Sequence, residues 1–191
     1  MTKLNILAFA GSLSANSVNK KLIRWSSNQL IDIGYSVDVV ELNDYPLEIY
    51  NPDISAADFP KNALLLAQLM QDHQVWLISS PEYNYSIPSC LKNVIDYVSR
   101  APENKPNVSL FSNKVAGLLS ASPSYMGGIR GLRHLRDILN SLGTVVVPGQ
   151  ANVSNSYSAF NEKGELNDVN SQKAVSGLLA KLVDIAGKLV S

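Results

Sequence analysis

Apolar residues recur along this chain in two alternating rhythms. Residues 4–10 form a near-continuous apolar run, as a strand reads when both faces of its sheet are covered. A helical spacing follows over about residues 17–33, with Val18, Leu22, Trp25, Leu30 and Ile33 on one side and Gly34 as the stop. The alternation then repeats. Further strands are predicted at residues 36–42 (Val37, Val39, Val40), 74–79, 114–120 and 144–147. Between and after them, helical spacing recurs over about residues 61–71 (Leu64, Leu65, Ala67, Leu69, Met70) and over 87–98 (Ile87, Leu91, Val94, Ile95, Val98). It returns over about 129–142, with Leu132, Leu135, Ile138, Leu139 and Leu142 inward and Gly143 as the stop. The last helix spans about 169–190, apolar at Val175, Leu178, Leu179, Leu182, Val183, Ala186 and Leu189. Residues 43–60 (Pro46, Pro52, Pro60), 100–113 and 149–168 read as loops.

Strands alternating with helices predict an α/β protein with a parallel sheet and right-handed crossovers. No repeat, low-complexity tract or linker divides the chain, so residues 1–191 are expected to form a single domain. The common arrangement for ten such elements is a flavodoxin-like three-layer sandwich. Its five-stranded sheet has the order 2-1-3-4-5, with helices on both faces and a switch point between strands one and three. That order gathers the loops after strands one, three and four. Those loops carry the small polar residues, turn residues and aromatics.

The first loop, GSLSANSVN (residues 11–19), opens a helix, whose free N–H groups and dipole suit a phosphate. Ser12, Ser14, Ser17 and Asn19 add side-chain donors. Ordinary N-capping would explain one or two of them, but not five hydroxyl and amide residues in nine. There is no Lys-[Ser/Thr] ending and no GxGxxG, so neither a nucleoside-triphosphate loop nor a dinucleotide fingerprint is present. A terminal monophosphate fits. The loop after strand three, PEYNYSIP, places Tyr83, Asn84 and Tyr85 in a row, suited to flank and hydrogen-bond a flat heteroaromatic ring. With the small-residue loop SPSYMGG after strand four, the three describe a site for FMN, with the ring between the second and third loops.

Composition narrows the classes. Sixteen basic residues balance sixteen acidic ones without like-charge blocks, so no nucleic-acid or anionic-membrane footprint is expected. Hydrophobic residues make up 46% and charged ones 17%, the low charge hinting at a surface covered by a partner subunit. The single cysteine, Cys90, permits no intrachain disulfide, and the first apolar run suits a strand better than a signal peptide or membrane span. A soluble cytoplasmic protein is expected. His73 and His134 lack metal-site spacing, so no metal is expected. Lys92 and Asp96 read as a structural pair one turn apart. Cys90 has no His partner, Glu82 no second carboxylate, and Trp25 and Trp76 fit core faces. Arg130, Arg133 and Arg136 suit a partner subunit, a nucleotide phosphate or a solvated face.

Three segments carry a family resemblance. GSLSANSVN matches a GSLRxxSxN phosphate loop, MGGIRGLRHLRDIL a GGxRxxxHLRxxL segment, and PEYNYSIPSCLKNVIDYVSR a long and specific PEYNxSxPGxLKNAIDWxSR signature. Over essentially its whole length the chain resembles the NAD(P)H-dependent FMN reductases, whose relatives include chromate, quinone and azo reductases. The resemblance implies that Ser12, Ser14, Ser17, Val18 and Asn19 form the phosphate loop, that Pro81, Glu82, Tyr83 and Asn84 line the flavin ring, and that Ser122 closes the site. It implies FMN as cofactor, NADPH or NADH as hydride donor, and a quinone, azo compound, metal oxyanion or free flavin as small-molecule acceptor. A homodimer or homotetramer with the flavin near the interface is implied too. No side chain is assigned as acid, base or nucleophile, because the cofactor carries the chemistry. Two positions depart from the pattern: Ser14 replaces an arginine, removing a charge-assisted contact, and Ser89-Cys90 replaces the glycine-containing helix start. An FMN-binding electron carrier is a rival disfavoured by the zero net charge. A redox-sensing module is a second rival. A receiver domain is excluded because Ala10-Gly11 and Ser79-Ser80 replace its acidic strand ends.

Overall fold

The computed structural model describes residues 4–189. β3 (Val75–Ser79) and β4 (Val115–Ala121) are buried along their whole length, and β1 (Asn5–Ala10) beyond its first residue, because helices cover both faces of the sheet. β2 (Ser36–Val40) and β5 (Val145–Val146) flank them. The order is β2-β1-β3-β4-β5, parallel throughout, as the alternation predicts. One face is covered by α1 (Val18–Asp32) and α5 (Val169–Leu189), through Leu22, Leu30, Val175 and Leu182. The other is covered by α2 (Lys61–Asp72), α3 (Ser89–Val98) and α4 (Ile129–Ser141), which bury Leu66, Leu91, Leu132 and Leu135 around Trp76. Gly34 (φ 98°) and Gly143 (φ 97°) take the left-handed conformation that stops α1 and α4.

Several local expectations need correction. β6 (Ala151–Val153) lies in the stretch expected to be loop. It continues the line of β5 along β4: Val145 pairs with Val115 and Ala151 with Leu119, so the chain between them is two residues longer than an unbroken register needs. That excess is absorbed around Pro148 and Gly149 (φ 86°). A strand broken this way leaves no periodic run to read. β2 ends at Val40, because Leu42 turns inward in a short 3-10 turn. α2 buries Ala63, Leu66, Ala67 and Met70, which share a helical face, and leaves Leu64 and Leu65 exposed. Ile33 lies past the end of α1 and is exposed. The expected last residue of α5, Val190, lies outside the described residues.

The structural pairings read from sequence are present. Lys92 Nζ lies 2.8 Å from Asp96 Oδ1. Trp76 is fully buried, its Nε1 donating to the carbonyls of Met70 and His73, and Trp25, on α1, packs half-buried against the core. His73 closes α2, its ring lying between Leu69 O and Asp38 Oδ2.

Candidate functional site

The carboxyl ends of β3 and β4 are fastened together by one side chain. Asn19, in the first turn of α1, is buried, and its Oδ1 accepts from the Ser79 hydroxyl at 2.8 Å and the Ala121 N–H at 2.9 Å. Its Nδ2 donates to the Ala121 carbonyl at 2.8 Å. The side chain is therefore engaged with the strand ends, and what Asn19 offers a ligand is its backbone N–H. Gly11 leaves β1 with its N–H on Ser79 O at 2.9 Å. A Cβ there would come within 2.8 Å of Leu91, so only glycine lets the loop lie this close on α3.

The loop at residues 11–17 is shaped from within. The buried Ser12 hydroxyl accepts the Ser14 N–H at 3.3 Å, and Ser14 O accepts the Ser17 N–H. Ser17 is the N-cap of α1, yet its hydroxyl caps nothing. An N-cap serine ordinarily accepts from the helix's own first-turn N–H groups. Among the described residues, that hydroxyl and the first-turn N–H groups of Val18 and Asn19 stay available together, in a loop whose residues 11–19 include no carboxylate. Ser14 stands exposed.

The second loop turns sharply. Tyr83 and Ser86 exchange both N–H···O bonds at 3.0 Å around Asn84 (φ 50°) and Tyr85 (φ 66°). Two positive φ values make a type I′ turn. Asparagine tolerates that backbone; tyrosine does so only at a cost, and such strain gathers at functional sites. Arg130 holds the strained residue, with its guanidinium 4.3 Å from the centre of the Tyr85 ring. Pro81 is buried, whereas Tyr83 and Asn84 are exposed. Among the described residues the N–H groups of Glu82, Asn84 and Tyr85 meet no acceptor.

Glu82 belongs to this loop, but its carboxylate points to α4. Oε2 accepts the N–H groups of Arg130 and Gly131, each at 2.9 Å. The N-cap position itself is Gly128, in left-handed conformation and without a side chain to cap, so Glu82 supplies the cap across space. A Cβ on Gly128 would lie 2.0 Å from the Ser120 hydroxyl, itself buried without a partner. Ser122 continues the third loop. Its N–H donates to Val153 O, its carbonyl accepts the Ser156 N–H, and its hydroxyl meets Ser124. His134 lies 3.0 Å from the Ser86 hydroxyl. Ser86 is the serine of the PEYNxSxP signature, whereas Ser79, Ser120 and Ser156 have no motif signal and only tertiary contacts reveal them.

The structure thus brings the predicted residues into three adjoining loops. They offer anion-type donors at the start of α1 and free N–H groups in the turn after β3, which match the phosphate end and the acceptor-rich pyrimidine edge of FMN. The residues present fit that group. Cys90, the only cysteine, donates weakly to Gly11 O at 3.5 Å, and burial pushes its thiol pKa up despite nearby backbone N–H groups, which makes it a poor nucleophile. A separate cavity of about 560 Å³ opens between residues 42–50 and α3, sharing Leu13 and Cys90 with the flank of the first loop.

Comparison with known proteins agrees with this geometry. The family described as NADPH-dependent FMN reductase matches residues 4–158. The chain is 31% identical to an NAD(P)H-dependent FMN reductase of Pseudomonas aeruginosa, covering 94% of this chain and 93% of that one. It is 32% identical to a quinone reductase of Pseudomonas putida, with coverage of 86% and 85%. The structure resembles that of FerB, a flavoenzyme NAD(P)H:(acceptor) oxidoreductase from Paracoccus denitrificans. The TM-score is 0.80 and the identity 25%, over 97% of this chain and 98% of that one.

Proposed function

The chain belongs to the NADPH-dependent FMN reductase family, and from that premise we propose that it carries electrons from NAD(P)H through bound FMN to a small organic acceptor of the quinone class. FMN, when bound, supplies the two-electron chemistry. The protein supplies place and polarity.

Ser12, Ser17 and the N–H groups of Val18 and Asn19 hold the phosphate, with Ser14 at the outer lip. Pro81 and the N–H groups of Glu82 and Asn84 meet the pyrimidine edge, Tyr83 flanks the ring and Ser122 bounds it. Glu82 acts through its carboxylate as a positioning residue, fixing the ring loop on α4. The observation that carries this reading is Ser17: a largely buried N-cap residue whose hydroxyl leaves its own helix uncapped beside free first-turn N–H groups. No side chain is needed as acid, base or nucleophile.

Tyr83, Tyr85, Tyr125 and Tyr157, all exposed, stand on the loops at this end of the sheet. Such an apolar fringe suits a second copy of the chain, in a homodimer or a dimer of dimers. Sedimentation velocity tests this, and a monomer at micromolar concentration contradicts it. We assign the protein to the reducing cytoplasm on its single unpaired thiol. No helix among the described residues is long and apolar enough to cross a membrane.

The test is steady-state kinetics of the FMN-loaded protein with NADPH, NADH and a soluble benzoquinone. Parallel double-reciprocal lines are expected, because one flavin serves donor and acceptor in turn. Absence of turnover with either nucleotide overturns the proposal.

A further inference from the structure

The phosphate loop contains no cation: residues 11–17 read GSLSANS. A dianionic phosphate would there meet only hydroxyls, N–H groups and about half a unit of helix-dipole charge. The structure shows where a whole charge stands. Lys20, in the first turn of α1, is buried, which is unusual for lysine unless the ammonium is held. Its Nζ lies 2.6 Å from Asn43 Oδ1 and 2.8 Å from Glu41 Oε2. The other oxygen of Glu41 receives Arg24 at 2.7 Å. Two cations thus share one carboxylate, leaving one positive charge in surplus. Asn43 joins this cluster to the loop, its Nδ2 donating to Leu13 O at 2.9 Å. Turning that amide over would place its NH2 on the ammonium and its oxygen on a carbonyl, so both contacts fix one orientation.

From this geometry we infer that Lys20, braced by Glu41 and Asn43, is the residue that makes the cofactor site discriminate phosphorylated from unphosphorylated flavin. This rests on the reading that the start of α1 holds the cofactor phosphate. Lys20 is a positioning and charge-supplying residue: Asn43 holds both its ammonium and the Leu13 carbonyl, and so ties the surplus charge to the loop that leads to Ser17. Burial opposes charge on Glu41, but the bonds from Lys20 and Arg24 outweigh it and hold its pKa low, so the surplus stays at one across neutral pH. An alkyl side chain at position 20 would fill the same space without the cost of burying an ammonium. The charge therefore has a use beyond packing.

The experiment titrates the flavin-free protein with FMN and separately with riboflavin, following quenching of flavin fluorescence at low and moderate salt. In wild type, FMN binds tighter than riboflavin. Lys20→Met should weaken FMN about tenfold, the scale of one partly screened unit charge, and leave riboflavin unchanged. Glu41→Gln raises the surplus, so it should tighten FMN and steepen its salt dependence, again without moving riboflavin. The opposite signs separate charge from damage, and Asn43→Ala, which cuts the link to Leu13, should weaken FMN alone. Equal losses for both flavins in Lys20→Met, or no change in FMN, overturn the inference. So does weaker FMN binding in Glu41→Gln. A wild type that does not prefer FMN to riboflavin overturns the phosphate reading and this inference with it. If Lys20→Met does not fold, Glu41→Gln and Asn43→Ala decide.

Discussion

Asn19 shows how much one side chain can hold. Three buried hydrogen bonds join it to Ser79 and to both backbone groups of Ala121. Asn19→Ala leaves those partners in the interior without acceptors or donors, and each such orphan costs about 1–3 kcal/mol. We expect about 3 kcal/mol of lost stability, read as a lower urea midpoint at unchanged slope, and FMN binding weakened because the loops lose their common anchor. Glu41 is informative through pH. Burial alone would raise its pKa, but the hydrogen bonds from Lys20 and Arg24 win and lower it below the ordinary 4.5. A carboxyl depressed in the folded state stabilises the fold above its unfolded pKa. That contribution is lost as pH falls through the depressed value. Urea melts below pH 5 should therefore show the stability gap between wild type and Glu41→Gln closing toward acid. A gap that widens there would contradict the sign.

At the scale of elements, the start of α4 concentrates the demands. Gly128 must take a left-handed backbone (φ 85°), leave room for the Ser120 hydroxyl and leave capping to Glu82. Gly128→Ala adds a Cβ 2.0 Å from that hydroxyl and strains the backbone as well. We expect a loss of about 2 kcal/mol or more, with a matching fall in thermal midpoint. A neutral substitution would mean that the turn before α4 relaxes freely. Gly34 lies in the same region of φ space but has open space around it, so its replacement by alanine meets strain alone. Comparing the two separates backbone strain from collision.

Over the whole molecule, the sheet order was legible because the central strands β1, β3 and β4 are buried on both faces and the helices between the strands carry apolar stripes. Hydrophobic periodicity follows those two burials directly. β6 was not legible: three residues beyond a break at Pro148–Gly149 leave no rhythm, and their partner is β4, some thirty residues upstream. The loops of the site were visible as clusters of small, polar and aromatic residues. The work divided among those residues was not. Glu82 faces α4, Asn19 faces two strand ends, and the surplus charge sits on Lys20, all through contacts between segments far apart in sequence or turned by local geometry. Composition marks where a site lies, and only tertiary hydrogen bonding shows which atoms are left for a ligand.

The central claim, an FMN-dependent NAD(P)H oxidoreductase, meets its most direct test in one cuvette. The protein is loaded with FMN, made anaerobic, and given NADPH or NADH while the visible flavin band is recorded. The band is expected to bleach within seconds with at least one nucleotide and to return when a quinone is added. Bound flavin that neither nucleotide bleaches, or a protein that takes up no FMN, would contradict it.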